Sequence, residues 1–180
     1  LPILCIRCLY KEGDYIFIGT YGDGYYIMKN GVLKPMPLDI NQYLKYAHCF
    51  MKDDAGFCWI STNNGLFKVK LEDMINAYEN DLTSVYYHYL GKEDGMQITE
   101  MNGGCAPCAI RLKNNNFSFP TMDGLLWFNP LETNIELPSG EIYIDEIIAD
   151  NEKIPVAGQT TIQLKNNTDK LDIEIGRAHV

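Results

Sequence analysis

Six cysteines are the first residues whose type could do chemistry, and four of them come as spaced pairs, Cys5-x-x-Cys8 and Cys105-x-x-Cys108. Two such pairs within one small module make a zinc site. Here Cys8 and Cys105 stand 97 residues apart. In a strand, positions three apart face opposite sides, so Cys5 and Cys8 cannot chelate together without a turn. Cys105-Ala106-Pro107-Cys108 has the outline of a thioredoxin-type motif, whose chemistry needs the first thiol at a helix N-terminus. The run Ala109–Leu112 that follows reads as a strand instead. Cys49 and Cys58 fall on neighbouring strands and could pair. The six read as small core hydrophobes, with no metal and no cofactor expected.

The other reactive residues point the same way. His48 and His88 fall in strand patterns among aromatics and read as structural. Asp14, Asp53 and Asp54 fall in polar turns, where carboxylates bond nearby backbone amides. The sequence has no nucleophile elbow, phosphate loop or His-Glu-x-x-His. No catalytic residue is assigned. The chain of 180 residues carries 15 Lys and Arg against 24 Asp and Glu, a net charge of −9. That balance excludes nucleic acid as a direct partner, since phosphate binding is led by clustered cations. An apolar fraction of 46% is that of a globular chain. No stretch reaches 18 uninterrupted apolar residues, so no membrane helix is read, and Leu1–Ile6 lacks the basic start of a signal peptide.

The elements that would position these residues repeat. Gly13–Tyr26, Gly56–Phe67 and Asn116–Trp127 each read as an aromatic and β-branched run ending in Thr, then a tight turn, then a second apolar run. The intervals are 42 residues from Thr20 to Thr62 and 59 from Thr62 to Thr121. A period in the low forties with several short strands per unit is the signature of a β-propeller. The strands expected are Ile3–Tyr10, Tyr15–Thr20 and Gly24–Lys29 in the first unit, and Tyr46–Met51, Phe57–Thr62 and Leu66–Lys70 in the second. The third has Cys108–Leu112, Phe117–Thr121 and Gly124–Phe128. The longer second interval holds an amphipathic helix with Leu71, Met74, Ile75 and Tyr78 on one face, an outer strand at Val85–Leu90, and a polar loop from Gly91 to Gly104. Past Pro130 and Pro138 the repeats stop. Glu141–Ile147, Lys153–Val156, Thr161–Leu164 and Leu171–Ile173 read as strands of a second all-β domain.

These units resemble the two-component-regulator propeller repeat, and Ala55–Phe67 is the closest copy. Gly91–Pro130 resembles the last blade of such propellers, and Leu137–Ile173 the start of the triple-tyrosine β-sandwich that follows it. The fold expected is therefore all-β. Residues 1–136 would be three C-terminal blades of a partial β-propeller, and 137–174 a truncated, immunoglobulin-like β-sandwich. Residues 175–180, Ile-Gly-Arg-Ala-His-Val, match the translation of a common sequencing adapter and are set aside as artefact.

The resemblance implies the periplasmic, extracytoplasmic sensor region of a hybrid two-component histidine kinase. Such a region would bind an oligosaccharide or other small ligand, act as a homodimer of the parent protein, and relay signal to a kinase outside this chain. The chain itself would not be an enzyme. The alternatives are a secreted propeller lyase or glycosidase, or a propeller interaction scaffold. By repeat symmetry the turns after the second strands share one rim, which nominates Tyr21, Asp23, Asn63, Asn64, Met122 and Asp123 for ligand contact. Asn102, just before the last inner strand, joins them.

Overall fold

The computed structural model describes residues 5–133, 143–156 and 161–176. Expectations at residues 1–4, 134–142, 157–160 and 177–180 lie outside the described residues. They include the first residues of the second domain and the end of the adapter-like tail. The chain divides into two units, 1–134 and 135–180.

In the first unit three antiparallel sheets follow one another, each with its strands in chain order. The first holds β1 (Ile6–Glu12), β2 (Tyr15–Thr20), β3 (Tyr25–Lys29) and β4 (Val32–Pro35). The second holds β5 (Cys49–Lys52), β6 (Phe57–Thr62), β7 (Gly65–Lys70) and β8 (His88–Leu90). The third holds β9 (Ile110–Arg111), β10 (Phe117–Thr121) and β11 (Gly124–Phe128). The all-β class stands. β4 went unforeseen: Asn30 and Gly31 both take positive φ, the geometry of a two-residue hairpin turn, and fold Val32–Pro35 back onto β3. The first strands of the second and third sheets are shorter than their patterns, since an edge strand keeps only the residues its one neighbour pairs, while β1 runs on past Tyr10 to Glu12. Tyr46 makes a lone bridge to Tyr21 and not to its own sheet, and β9 keeps two residues.

The middle sheet is buried on both faces. Along β6, Cys58 and Ile60 pack with Phe17, Tyr25, Ile27 and Phe50 on the first-sheet side. Trp59 points the other way, into Phe117, Phe119, Leu126 and Phe128 of the third sheet. This is the period of two at work. β7 follows the same rule, with Phe67 and Val69 on one side and Leu66 on the other. Each large apolar side chain so buried contributes about 1.5–3 kcal/mol.

Asp53 anchors this sheet. It is 2% exposed. Its carboxylate accepts the backbone N–H groups of Ala55 and Phe57, both at 2.9 Å, and the Trp59 Nε1–H at 2.8 Å. One side chain closes the turn before β6 and satisfies the buried indole. The repeated Thr has an equally local cause. Thr20 Oγ1 donates to Gly24 O at 2.6 Å and accepts from Asp23 N. Thr62 Oγ1 donates to Gly65 O at 3.0 Å and accepts from Asn64 N. Thr121 Oγ1 accepts from Asp123 N. The Thr closes each hairpin from within.

The helix α1 (Leu71–Asn80) inserts after β7. Leu71, Met74, Ala77 and Tyr78 are buried, with Ile75 at the margin of the same core. Glu72 and Asp73 complement the positive end of its dipole. Asp81 ends it in the left-handed conformation, with its N–H on Ala77 O.

The second unit, taken by itself, is one sheet in the order β13-β12-β14, from β12 (Tyr143–Ala149), β13 (Glu152–Ile154) and β14 (Leu171–Gly176). Asp150 and Asn151, both at positive φ, form the turn between β12 and β13. The expected strand at Thr161–Leu164 does not form. Leu164 is exposed and the segment has no ladder partner, and alternation makes a strand only where an edge accepts it. β14 runs to Gly176, two residues into the adapter-like string.

Replacing Asp53 by Ala leaves two amides and a buried indole N–H unpaired, so D53A loses on the order of 3 kcal/mol of stability. A urea transition followed by tryptophan fluorescence measures this. A midpoint within error of wild type would show that water takes over those donors.

Candidate functional site

One end of the first unit gathers polar groups from all three sheets. The hairpin turn after β2 is held against the entry to the second sheet, because Gly22 N and Gly24 N both donate to Lys45 O, at 2.8 and 3.1 Å. The turn after β6 is held against the entry to the third in the same way, by Met101 N donating to Thr62 O at 3.1 Å. Between these two turns lies His48, 2% exposed, immediately before β5.

His48 Nε2 meets Asn63 Oδ1 at 2.6 Å, an arrangement in which the ring nitrogen carries the proton. Tyr21 stacks on the ring at 6.2 Å between centroids, 24° between planes. Tyr46 meets Tyr21 edge-on at 4.9 Å, and the Arg7 guanidinium lies over the Tyr21 ring at 4.5 Å. Gly103 closes the other side: a Cβ there would stand 2.3 Å from His48 Nδ1, so only glycine fits. Among the described residues, two buried side-chain polar atoms have no partner, Arg7 Nε and His48 Nδ1. Both belong to this cluster. Burial lowers the His48 pKa, and the Asn63 bond and Glu100 offset this in part. His48 is therefore neutral at pH 7.

Of the seven nominated residues, the structure brings Tyr21 and Asn63 onto His48. Asn102 stands beside them. It is exposed, its N–H donates to Pro120 O at 2.9 Å, and it precedes Gly103. The rest make other contacts. Asp23 N and Asp123 N bond the hairpin threonines, Met122 N donates to Glu100 O, and Asn64 O accepts the Tyr89 hydroxyl at 2.6 Å. Asp123 also lines a separate open cleft of about 320 Å³ with Met96, Gln97 and Trp127. Repeat symmetry nominated these turns together, but side chains within a turn diverge.

From the sequence His48 reads as structural, and Arg7, Tyr46 and Gly103 are not singled out. Tyr46, His48 and Gly103 precede the first strand of a sheet, next to a turn of the sheet before it, and Arg7 lies in β1 beside the turn of its own sheet. Burial is what the sequence hid. Cys49 and Cys58, which the sequence leaves free to pair, do not face each other. Cys49 lies opposite Ser61 and Cys58 opposite Lys52, so their side chains are out of register. Among the described residues no group of three or more His, Cys, Asp or Glu is placed to hold a metal.

No protein-family model matches the chain. Histidine kinase P4 of Formosa agariphila is 22% identical over 164 residues, covering 89% of this chain and 11% of that protein. The chain thus spans about a tenth of the length of this curated relative. No helix among the described residues is long and apolar enough to cross a membrane.

The cluster sets a pH dependence. His48 has a folded pKa below its unfolded value of about 6.5, so its contribution is complete above that pH. Below it the unfolded chain takes up the proton first, and stability falls. His88, also lowered by burial, adds to the slope. Denaturation at pH 7.5 and 5.5 will show the loss, and H48Q will flatten it. An unchanged slope in H48Q would assign the effect elsewhere.

Proposed function

We propose that this chain is ligand-sensing material of a two-component sensor. In this reading the three sheets of the first unit are consecutive propeller blades, and the second unit is the beginning of a β-sandwich. The region faces the periplasm, works in a homodimer of its parent protein, and relays occupancy to a kinase elsewhere in that protein. The similarity to a histidine kinase supports the context. The arrangement of Arg7, Tyr21, His48 and Asn63 at one rim carries the binding reading, since two of its buried polar atoms lack partners among the described residues and such atoms are costly to leave unpaired.

The ligand class follows from what the cluster offers. The Tyr21 ring is packed by His48 and by Arg7. That packing favours hydrogen bonding over ring stacking as its way of holding a sugar. Tyr21 is 44% exposed, with the exposed Asn102, the Asn63 amide and the Arg7 cation also at this end. That set suits a hydroxyl-rich ligand held by hydrogen bonds, and an oligosaccharide meets it. An acidic sugar would add a charge pair with Arg7.

An array of neutral and acidic oligosaccharides, probed with the full-length parent protein, tests this. We expect a bound set, and at least about tenfold weaker binding in N63A, which is about 1.4 kcal/mol. Absence of binding together with unchanged assembly state would end the sensing reading. A parent gene lacking a kinase domain would end the two-component reading on its own.

A further inference from the structure

We propose that Cys49 and Cys108 form a disulfide that ties the start of β5 to the segment entering β9. The two residues are 59 positions apart and belong to different sheets, and neither CxxC pair points to their meeting. The fold nevertheless brings Cys108 to the backbone beside Cys49. Cys108 Sγ lies 3.1 Å from the carbonyl oxygen of His48, the residue immediately before Cys49. The Cys49 thiol donates to Phe50 O at 3.9 Å, and each of the two thiols is the first influence on the other's ionisation. Both side chains are buried, at 8% and 7% exposure, so the contact lies under the rim cluster and not on a loose surface.

The pair is chemically uneven, which favours exchange. The neighbouring thiol holds the Cys108 pKa below the usual thiol value, while Cys49 is pushed up. Cys108 is also the one of the two that adjoins exposed chain, and it acts as the nucleophile. Residues 104–107 beside it are exposed and give an oxidant a route in. The oxidant is a small disulfide such as glutathione disulfide. The Cys108 thiolate attacks one of its sulfurs, breaks the S–S bond and expels one glutathione thiolate. Cys49 then loses its proton to solvent and attacks the Cys108 sulfur of the mixed disulfide, expelling the second. Two protein thiols are oxidised to one disulfide, and one glutathione disulfide is reduced to two glutathiones, which take up the two protons.

Other thiols are placed less well. Cys8 approaches from β1, packed against Gly19, and is pushed up by burial, with Cys108 adding to the effect. Cys58 is out of register with Cys49. Cys105 is exposed, with its sulfur turned to Asn102 O at 3.8 Å. The inference stands apart from the sensing reading, because it needs only the packing of the second and third sheets.

The 180-residue chain, isolated as a folded species by size exclusion, is equilibrated with glutathione disulfide, alkylated and peptide-mapped. We expect the intact mass to fall by two hydrogens, and a linked peptide joining Cys49 to Cys108. C8S should keep the link, and C49S and C108S should each lose it. Alkylation of both Cys49 and Cys108 in the folded wild type would overturn the proposal. So would a map in which Cys108 is joined to Cys105 or Cys8. The wild-type map decides the matter even where a variant fails to fold.

Discussion

A buried indole needs a hydrogen-bond acceptor, and the acceptor has to come from inside the same sheet. Trp59 is fully enclosed between the second and third sheets, with Phe128 at 4.9 Å and Phe117 at 6.4 Å between ring centroids. No solvent reaches its N–H. Asp53 supplies the acceptor, and its remaining lone pairs close the turn that starts β6. The carboxylate is itself buried and is tolerable only because every partner is a donor. Lys68 adds a cation over the Trp59 ring at 5.0 Å, its pKa lowered by burial. Turn, strand direction and inter-sheet core are thereby fixed together.

That constraint reaches the rim through register. With Trp59 pointing into the third sheet, alternation sends Cys58 and Ile60 toward the first. Thr62 then falls at the end of β6, where its hydroxyl shapes the hairpin that presents Asn63. On the neighbouring strand, Cys49 pairs with Ser61, and His48 N donates to Ser61 O at 2.8 Å. This places the imidazole within reach of Asn63. A one-residue slip in β6 would invert the burial of every side chain along it. The same slip would part the His48–Asn63 pair.

Much of this fold was legible because its causes are local. The period of two, the Thr that closes each hairpin, and the spacing of Leu71, Met74 and Tyr78 all act within a few residues. The extent of edge strands was less legible, as β1, β5 and β9 show: their length depends on a partner strand. Thr161–Leu164 had a strand's pattern and no edge to join. The site was legible in part. Tyr21 and Asn63 could be nominated from turns. Arg7, His48 and Gly103 could not, since what distinguishes them is contact across 14 to 55 residues of chain, and Gly103 resembles any loop glycine until the His48 ring is seen against it.

The rim and the thiols beneath it share one backbone. The carbonyl of His48 lies on Cys108, the N–H of His48 bonds Ser61, and the side chain of His48 bonds Asn63. Gly103, five residues before Cys108, presses on the same ring. A covalent tie at Cys49 would therefore restrain the segment 102–108 directly against His48. It would hold Asn102 and Gly103 at the cluster with less help from core packing. The third sheet needs such help more than the others: β9 contributes two residues, and Leu125 and Trp127 of β11 stand mostly exposed. A sheet with a short inner strand and a bare apolar face keeps its position through the few contacts it has with its neighbour. Of those, Trp59 with Phe117 and Phe128 works through packing, and the Cys49–Cys108 contact could work through a bond.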